Sequence, residues 1–124
     1  MTYARWLNVV ASSEAKTIGE LSYVFCDDEY LLRINQDHLE HDTYTDIITF
    51  DYTDDALIKG EVYISTDRVA ENAVLFSVDT LAELHRVIVH GLLHLCGYTD
   101  ASPQEKQLMR MKEDEKMKLF HVKH

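Results

Sequence analysis

At 124 residues and 46% hydrophobic composition, the chain can bury one core without disulfide support, and it is read as a single domain over residues 1–124. Cys26 and Cys96 are far apart with no CxxC partner, so neither a disulfide framework nor a cysteine metal cage is suggested; no stretch nears the roughly 20 apolar residues of a membrane span, and Met1-Thr2-Tyr3-Ala4-Arg5-Trp6 does not open a signal sequence, so a cytoplasmic protein with no membrane partner is expected. The 22 acidic residues outnumber 12 basic ones, and the formal charge of -10 counts against nucleic-acid binding unless the basic residues cluster.

Trp6, Val9 and Val10 fall at helical spacing within Tyr3 to Ala15, which predicts an opening helix before the polar stretch Lys16 to Gly19. Leu21 to Cys26 reads as a strand that stops at Asp27-Asp28-Glu29, where Asp27 or Asp28 caps the next helix. That helix carries Tyr30, Leu31, Ile34 and His38 and runs out near Glu40-His41-Asp42. Ile47 to Tyr52 and Glu61 to Ile64 read as an antiparallel strand pair, the second half-exposed, joined through Thr53-Asp54-Asp55 and Gly60. Thr66 or Asp67 caps a short helix to Leu75. Asp79 or Thr80 caps a longer one with a buried stripe of Leu81, Leu84, Val87, Ile88, Leu92 and Leu95, and Gly97 ends it. Ser102-Pro103 starts a charged surface helix marked by Leu108, Met111, Glu115 and Leu119, with Lys112 to Lys118 as a solvated face. The sum is an α+β domain with three to four strands and four to five helices.

The chemistry concentrates in His90-Gly91-Leu92-Leu93-His94-Leu95-Cys96-Gly97-Tyr98-Thr99-Asp100. At about 100° per residue, His90 and His94 share one helical face a turn apart, where both imidazoles can bind one transition metal ion, zinc by default. Cys96 and His85 lie off that face. Gly97 can adopt the left-handed conformation that stops the helix, folding Asp100 back as a third ligand and leaving an open position for a metal-bound water held by His90, His94 and Asp100. The spacing matches long metallopeptidase motifs, but Gly91 stands where those enzymes need a glutamate base, so a peptidase is disfavoured.

Residues 90 to 98 resemble the signature of the YbeY family of bacterial metal-dependent endoribonucleases. Asn35, Asp42 and Thr45-Asp46-Ile47-Ile48-Thr49-Phe50 resemble that family's Asn…Asp-x-Pro-Thr-Asp-Val-Leu-Ser-Phe block, and Gly60-Glu61-Val62-Tyr63-Ile64 resembles its Gly-Asp-Ile strand. The resemblance covers about residues 5 to 118. It implies a small mixed sheet with the metal helix packed on it, one zinc or other divalent transition metal ion per chain, and a role in maturing ribosomal RNA, chiefly the 3' end of the small-subunit RNA, and in small-subunit quality control. The partner is then ribosomal RNA or the small ribosomal subunit.

Three departures accompany the resemblance. The family's opening strand has no counterpart before the helix around Trp6, so the sheet is expected to lack an edge strand. Asp100 replaces the family's third imidazole, which lowers the net charge of the site and admits harder ions such as manganese. Leu39 occupies the aligned position of a family arginine, so a phosphate clamp has to come from elsewhere. Arg86, one turn before His90, is the first candidate, ahead of Lys59 and Arg68, although an exposed arginine is also an ordinary surface residue. Thr45 and Asp46 either approach the metal, as the resemblance implies, or form a strand-entry turn in which Asp46 caps backbone amides. His121 and His124 are further imidazoles at an end expected to fray. The expected reaction is RNA phosphodiester hydrolysis; the alternatives are a non-catalytic ribosome-assembly factor with a structural metal and a metallopeptidase-like hydrolase.

Overall fold

Local sequence signals set the order α1 (Tyr3–Ser13), β1 (Thr17–Cys26), α2 (Asp28–Leu39), β2 (Ile47–Asp51), β3 (Leu57–Ser65), α3 (Thr66–Leu75), α4 (Thr80–Leu95) and α5 (Pro103–Lys118), followed by a 3₁₀ turn, Leu119–His121. The structure, a computed structural model, describes residues 2–39 and 45–121, and side chains throughout these except at 38, 39 and 121. The end of the second predicted helix at Glu40-His41-Asp42, the side chains of Leu39 and His121, and His124 therefore lie outside the described residues.

Capping chemistry fixes most helix starts. The Asp27 carboxylate accepts from the Tyr30 amide at 2.8 Å, and Ser102 and Glu105 form a reciprocal capping box ahead of Pro103. The start of α3 differs from expectation. Ser65, rather than Thr66 or Asp67, accepts from the Arg68 amide at 3.1 Å, because the hydroxyl at the end of β3 already sits three residues before that donor. Asp79 holds the N-cap position of α4 but its side chain makes no capping bond.

Three strands form a mixed sheet in the order β1-β3-β2, with β1 parallel and β2 antiparallel to β3. The predicted antiparallel pair is thus β2 and β3. β1 begins earlier than its apolar run suggests, at Thr17, because its amide donates to the Ala56 carbonyl and pairing with β3 extends through the polar residues. In β3, Ile58, Val62 and Ile64 are buried while Glu61 and Tyr63 are half-buried. These buried faces meet α4 through Val89, Leu92 and Leu95, and Trp6, Leu7 and Val10 of α1 close the same core.

Gly91 lets α4 lie close to the sheet. A Cβ there would stand 2.8 Å from Val62 Cγ1 and 3.1 Å from Ile47 Cδ1, so the helix rests against both strands through its backbone. His85 leaves the metal face as expected, stacking near Trp6 and Phe120 with centroid distances of 5.6 and 4.6 Å. Leu81 is exposed, outside the predicted stripe.

α5 corrects the reading of a solvated surface helix. Its covered face is Met109, Glu113 and Lys116, each 5% exposed or less, whereas Leu108 and Met111 are exposed. Lys116 Nζ reaches Glu14 at 2.8 Å and its carbonyl accepts from the Trp6 indole at 2.8 Å, so ion pairing and a hydrogen bond decide which side turns inward. Gly91→Ala is expected to lose about 1–2 kcal/mol in urea unfolding, overpacking against Val62 outweighing the gain in helix propensity.

Candidate metal centre

The two histidines come from the last turns of α4, and their outer nitrogens are both committed. His90 Nδ1 donates to Glu113 Oε2 at 2.6 Å, and His94 Nδ1 donates to the Tyr98 carbonyl at 3.0 Å. Carboxylate and carbonyl oxygens can only accept, so each Nδ1 carries a hydrogen and Nε2 is the atom left to face a metal ion or a proton. Those two Nε2 atoms lie 2.9 Å apart.

Asp100 reaches the same point because α4 ends as the sequence requires. Gly97 has φ of 107°, with Gly97 N–H bonded to the His94 carbonyl and Tyr98 N–H to the Leu93 carbonyl, each at 3.0 Å. This left-handed close turns the chain back so that Tyr98 supports His94 and Asp100 approaches both rings. Asp100 Oδ2 lies 3.3 Å from His90 Nε2, and Oδ1 lies 3.7 Å from His94 Nε2. Ligands bound tetrahedrally to zinc at its usual bond lengths are separated by roughly 3.3 Å. The donor set His90, His94 and Asp100, with its ligand atoms within 4.8 Å of one another, could therefore hold one such ion.

These ligands open into a cleft of about 480 Å³ formed by α3, α4, α5 and the residues entering β2. Thr45, Asp46 and Arg86 all line it, while Lys59 and Arg68 do not. Arg68 instead pairs with Asp28 at 3.0 Å and Glu71 at 2.7 Å. Arg86 is likewise engaged, Nη1 with Glu113 at 2.8 Å and Nη2 with Asp114 at 2.6 Å. Thr45 hydrogen-bonds to the Ile47 carbonyl at 3.3 Å, and the Asp46 main-chain carbonyl accepts from the Ser65 amide at 3.0 Å. Burial raises the Asp46 pKa, partly offset by the His90 charge.

Glu113 is the member that sequence reasoning missed. It sits one turn after Met109 on the covered face of α5 and links His90 to Arg86 through its two oxygens. Burial works against charge on His90, yet the hydrogen bond and charge of Glu113 outweigh it and raise the His90 pKa; burial and the neighbouring His90 lower that of His94. Cys96 takes no part, its thiol pushed up to about 11 by burial.

A family model described as Endoribonuclease YbeY matches residues 1–121. The chain belongs to the YbeY family. The protein named Endoribonuclease YbeY from Flavobacterium psychrophilum is 56% identical over 122 residues, covering 98% of this chain and 87% of the relative. Its namesake from Christiangramia forsetii is 52% identical over 120 residues, covering 97% and 84%. The solution structure of TM1509 from Thermotoga maritima superposes with a TM-score of 0.70 at 25% identity, covering 94% of this chain and 77% of that one. The YbeY assignment agrees with the α+β fold read from the sequence, and His90, His94 and Asp100 form a group that could hold a metal ion.

Glu113→Ala is expected to weaken zinc binding about 10- to 100-fold in a chelator competition, the usual effect of removing a carboxylate behind a ligating imidazole. Zinc and a proton compete for His90 Nε2, and its raised pKa lets the proton win at higher pH than for an ordinary histidine at 6.5. Apparent affinity should therefore start to fall above that pH as acid is added, and Glu113→Gln should move the fall to lower pH.

Proposed function

We propose that this chain is a metal-dependent endoribonuclease that cuts single-stranded RNA, acting in the cytoplasm as a single domain over residues 1–124. Its substrate is ribosomal RNA of the small subunit, in maturation of the 3' end and in ribosome quality control, and its cofactor is one zinc ion per chain at His90, His94 and Asp100. The observation that carries the reading is the convergence of three electron-pair donors in a cleft, in a chain whose family bears the name endoribonuclease.

A bound divalent ion would supply Lewis acidity toward a phosphoryl oxygen and activate water near neutral pH. The protein's part is to place that chemistry. Glu113 and the Tyr98 carbonyl hold both rings in the tautomer that presents Nε2. Arg86 steadies Glu113 and keeps remaining guanidinium N–H groups for a substrate phosphate. Asp46, whose pKa burial raises, lines the cleft and offers its carboxyl group to a substrate hydroxyl. Thr45 beside it offers a hydroxyl to the same substrate.

Gly91 weighs against peptidase chemistry, since that position faces Val62 and Ile47 and has no room for a glutamate base. The name shared by the relatives favours catalysis over a purely structural metal. No helix among the described residues is long and apolar enough to cross a membrane.

Metal-loaded protein is expected to fragment single-stranded RNA and to stop on addition of a chelator. His94→Ala should lose both bound metal, read by elemental analysis, and cleavage; stoichiometric metal with full activity in that variant would sink the assignment. Asp100→His should keep one ion per chain and shift preference from manganese toward zinc, as a softer donor replaces a carboxylate.

A further inference from the structure

Part of the cleft lining neither ligates a metal nor supports a ligand, and two side chains there share the properties of a nucleotide subsite. Phe76 is 54% exposed and lines the cleft that holds His90 and Asp100. Its backbone is fixed. It caps the C-terminus of α3, where Ser77 takes the left-handed conformation at φ of 54°, Ser77 N–H bonds to the Val74 carbonyl at 3.1 Å and Val78 N–H to the Ala73 carbonyl at 2.9 Å. An aromatic ring held this way offers an open face at low cost in entropy.

Arg110, on α5, lines the same cleft and is exposed. Its guanidinium enters no ion pair among the described residues, whereas the other cleft arginine, Arg86, is tied to Glu113 and Asp114. Arg110 is thus the cleft arginine with no direct ion pair, its charge acting at longer range on the Glu83 carboxylate of the same lining. On a chain of formal charge -10, attraction for a polyanion has to be local, and the pairing of one available cation with one open aromatic face is the local form it takes here.

We propose that Phe76 and Arg110 form a binding subsite for single-stranded RNA beside the metal centre, the ring stacking on a base and the guanidinium holding a neighbouring phosphate. The proposal rests on the ribonuclease reading and specifies how that site takes its substrate. Stacking on one ring requires a base whose face is free, so a duplex, whose bases are stacked on each other, cannot use it. Every base has such a face, which makes the subsite selective for strandedness and tolerant of sequence.

The test compares wild type with Phe76→Ala, Phe76→Trp, Arg110→Ala and Arg110→Lys, all loaded with zinc, on a short single-stranded oligoribonucleotide and on its duplex. Phe76→Ala is expected to raise KM for the single strand about tenfold, within the range for losing one base–aromatic stack, with kcat unchanged; Phe76→Trp restores KM. Arg110→Ala raises KM and flattens the log–log salt dependence by about 0.7, the contribution of one phosphate contact on a single strand, while Arg110→Lys keeps the slope. Metal content and thermal midpoint stay at wild-type values in all four, which separates substrate binding from folding and from the metal site. A wild type that cleaves while Phe76→Ala keeps its KM overturns the stacking role, and an unchanged salt slope in Arg110→Ala overturns the phosphate role. Zinc-loaded wild type that cleaves no RNA overturns the ribonuclease reading, and the subsite falls with it.

Discussion

Two imidazole lone pairs facing each other at 2.9 Å, with a carboxylate beside them, repel unless a cation stands between them. Everything around the centre is arranged to hold that unfavourable approach. Glu113 and the Tyr98 carbonyl take the opposite nitrogens, so neither ring can relieve the repulsion by changing tautomer. A proton is the other cation that can stand there, and although burial opposes charge on His90, the hydrogen bond and charge of Glu113 raise its pKa.

The sheet supplies the rigidity. α4 lies on β2 and β3 through Gly91, whose missing side chain brings the helix backbone close to Val62 and Ile47, and the neighbouring His90 is thereby fixed in height above the strands. The same glycine removes the position from which a peptidase would deliver its base. One residue thus bears both on the height of His90 above the strands and on the room left for a peptidase's base.

His90, His94 and Asp100 were legible because their geometry is local: one helical turn, a left-handed stop at Gly97, and a short return. Glu113 was not, because its approach to His90 spans 23 positions and depends on how α5 crosses α4. The same helix misled the reading of its own inner side. Apolar spacing pointed to Leu108 and Met111, yet Glu113 and Lys116 turn inward because each has a charged partner waiting on another element. The polar start of β1 was hidden for a related reason: backbone pairing with β3, rather than side-chain pattern, makes it a strand. The antiparallel β2–β3 pair and the five helices otherwise follow the alternation of apolar runs and caps, whereas the mixed sheet was what the family resemblance implied.

Lys116 adds a consequence for handling the molecule. Its ammonium is bound by Glu14 and Ser13 of the α1 end, and its carbonyl by Trp6, while Glu113 one turn earlier grips His90. The first and last helices are commonly chosen for fusions and trimming because terminal segments are usually loose. Here they are riveted together one turn from the carboxylate that grips His90, so an alteration that frees α5 from α1 would reach the candidate metal-binding group through Glu113.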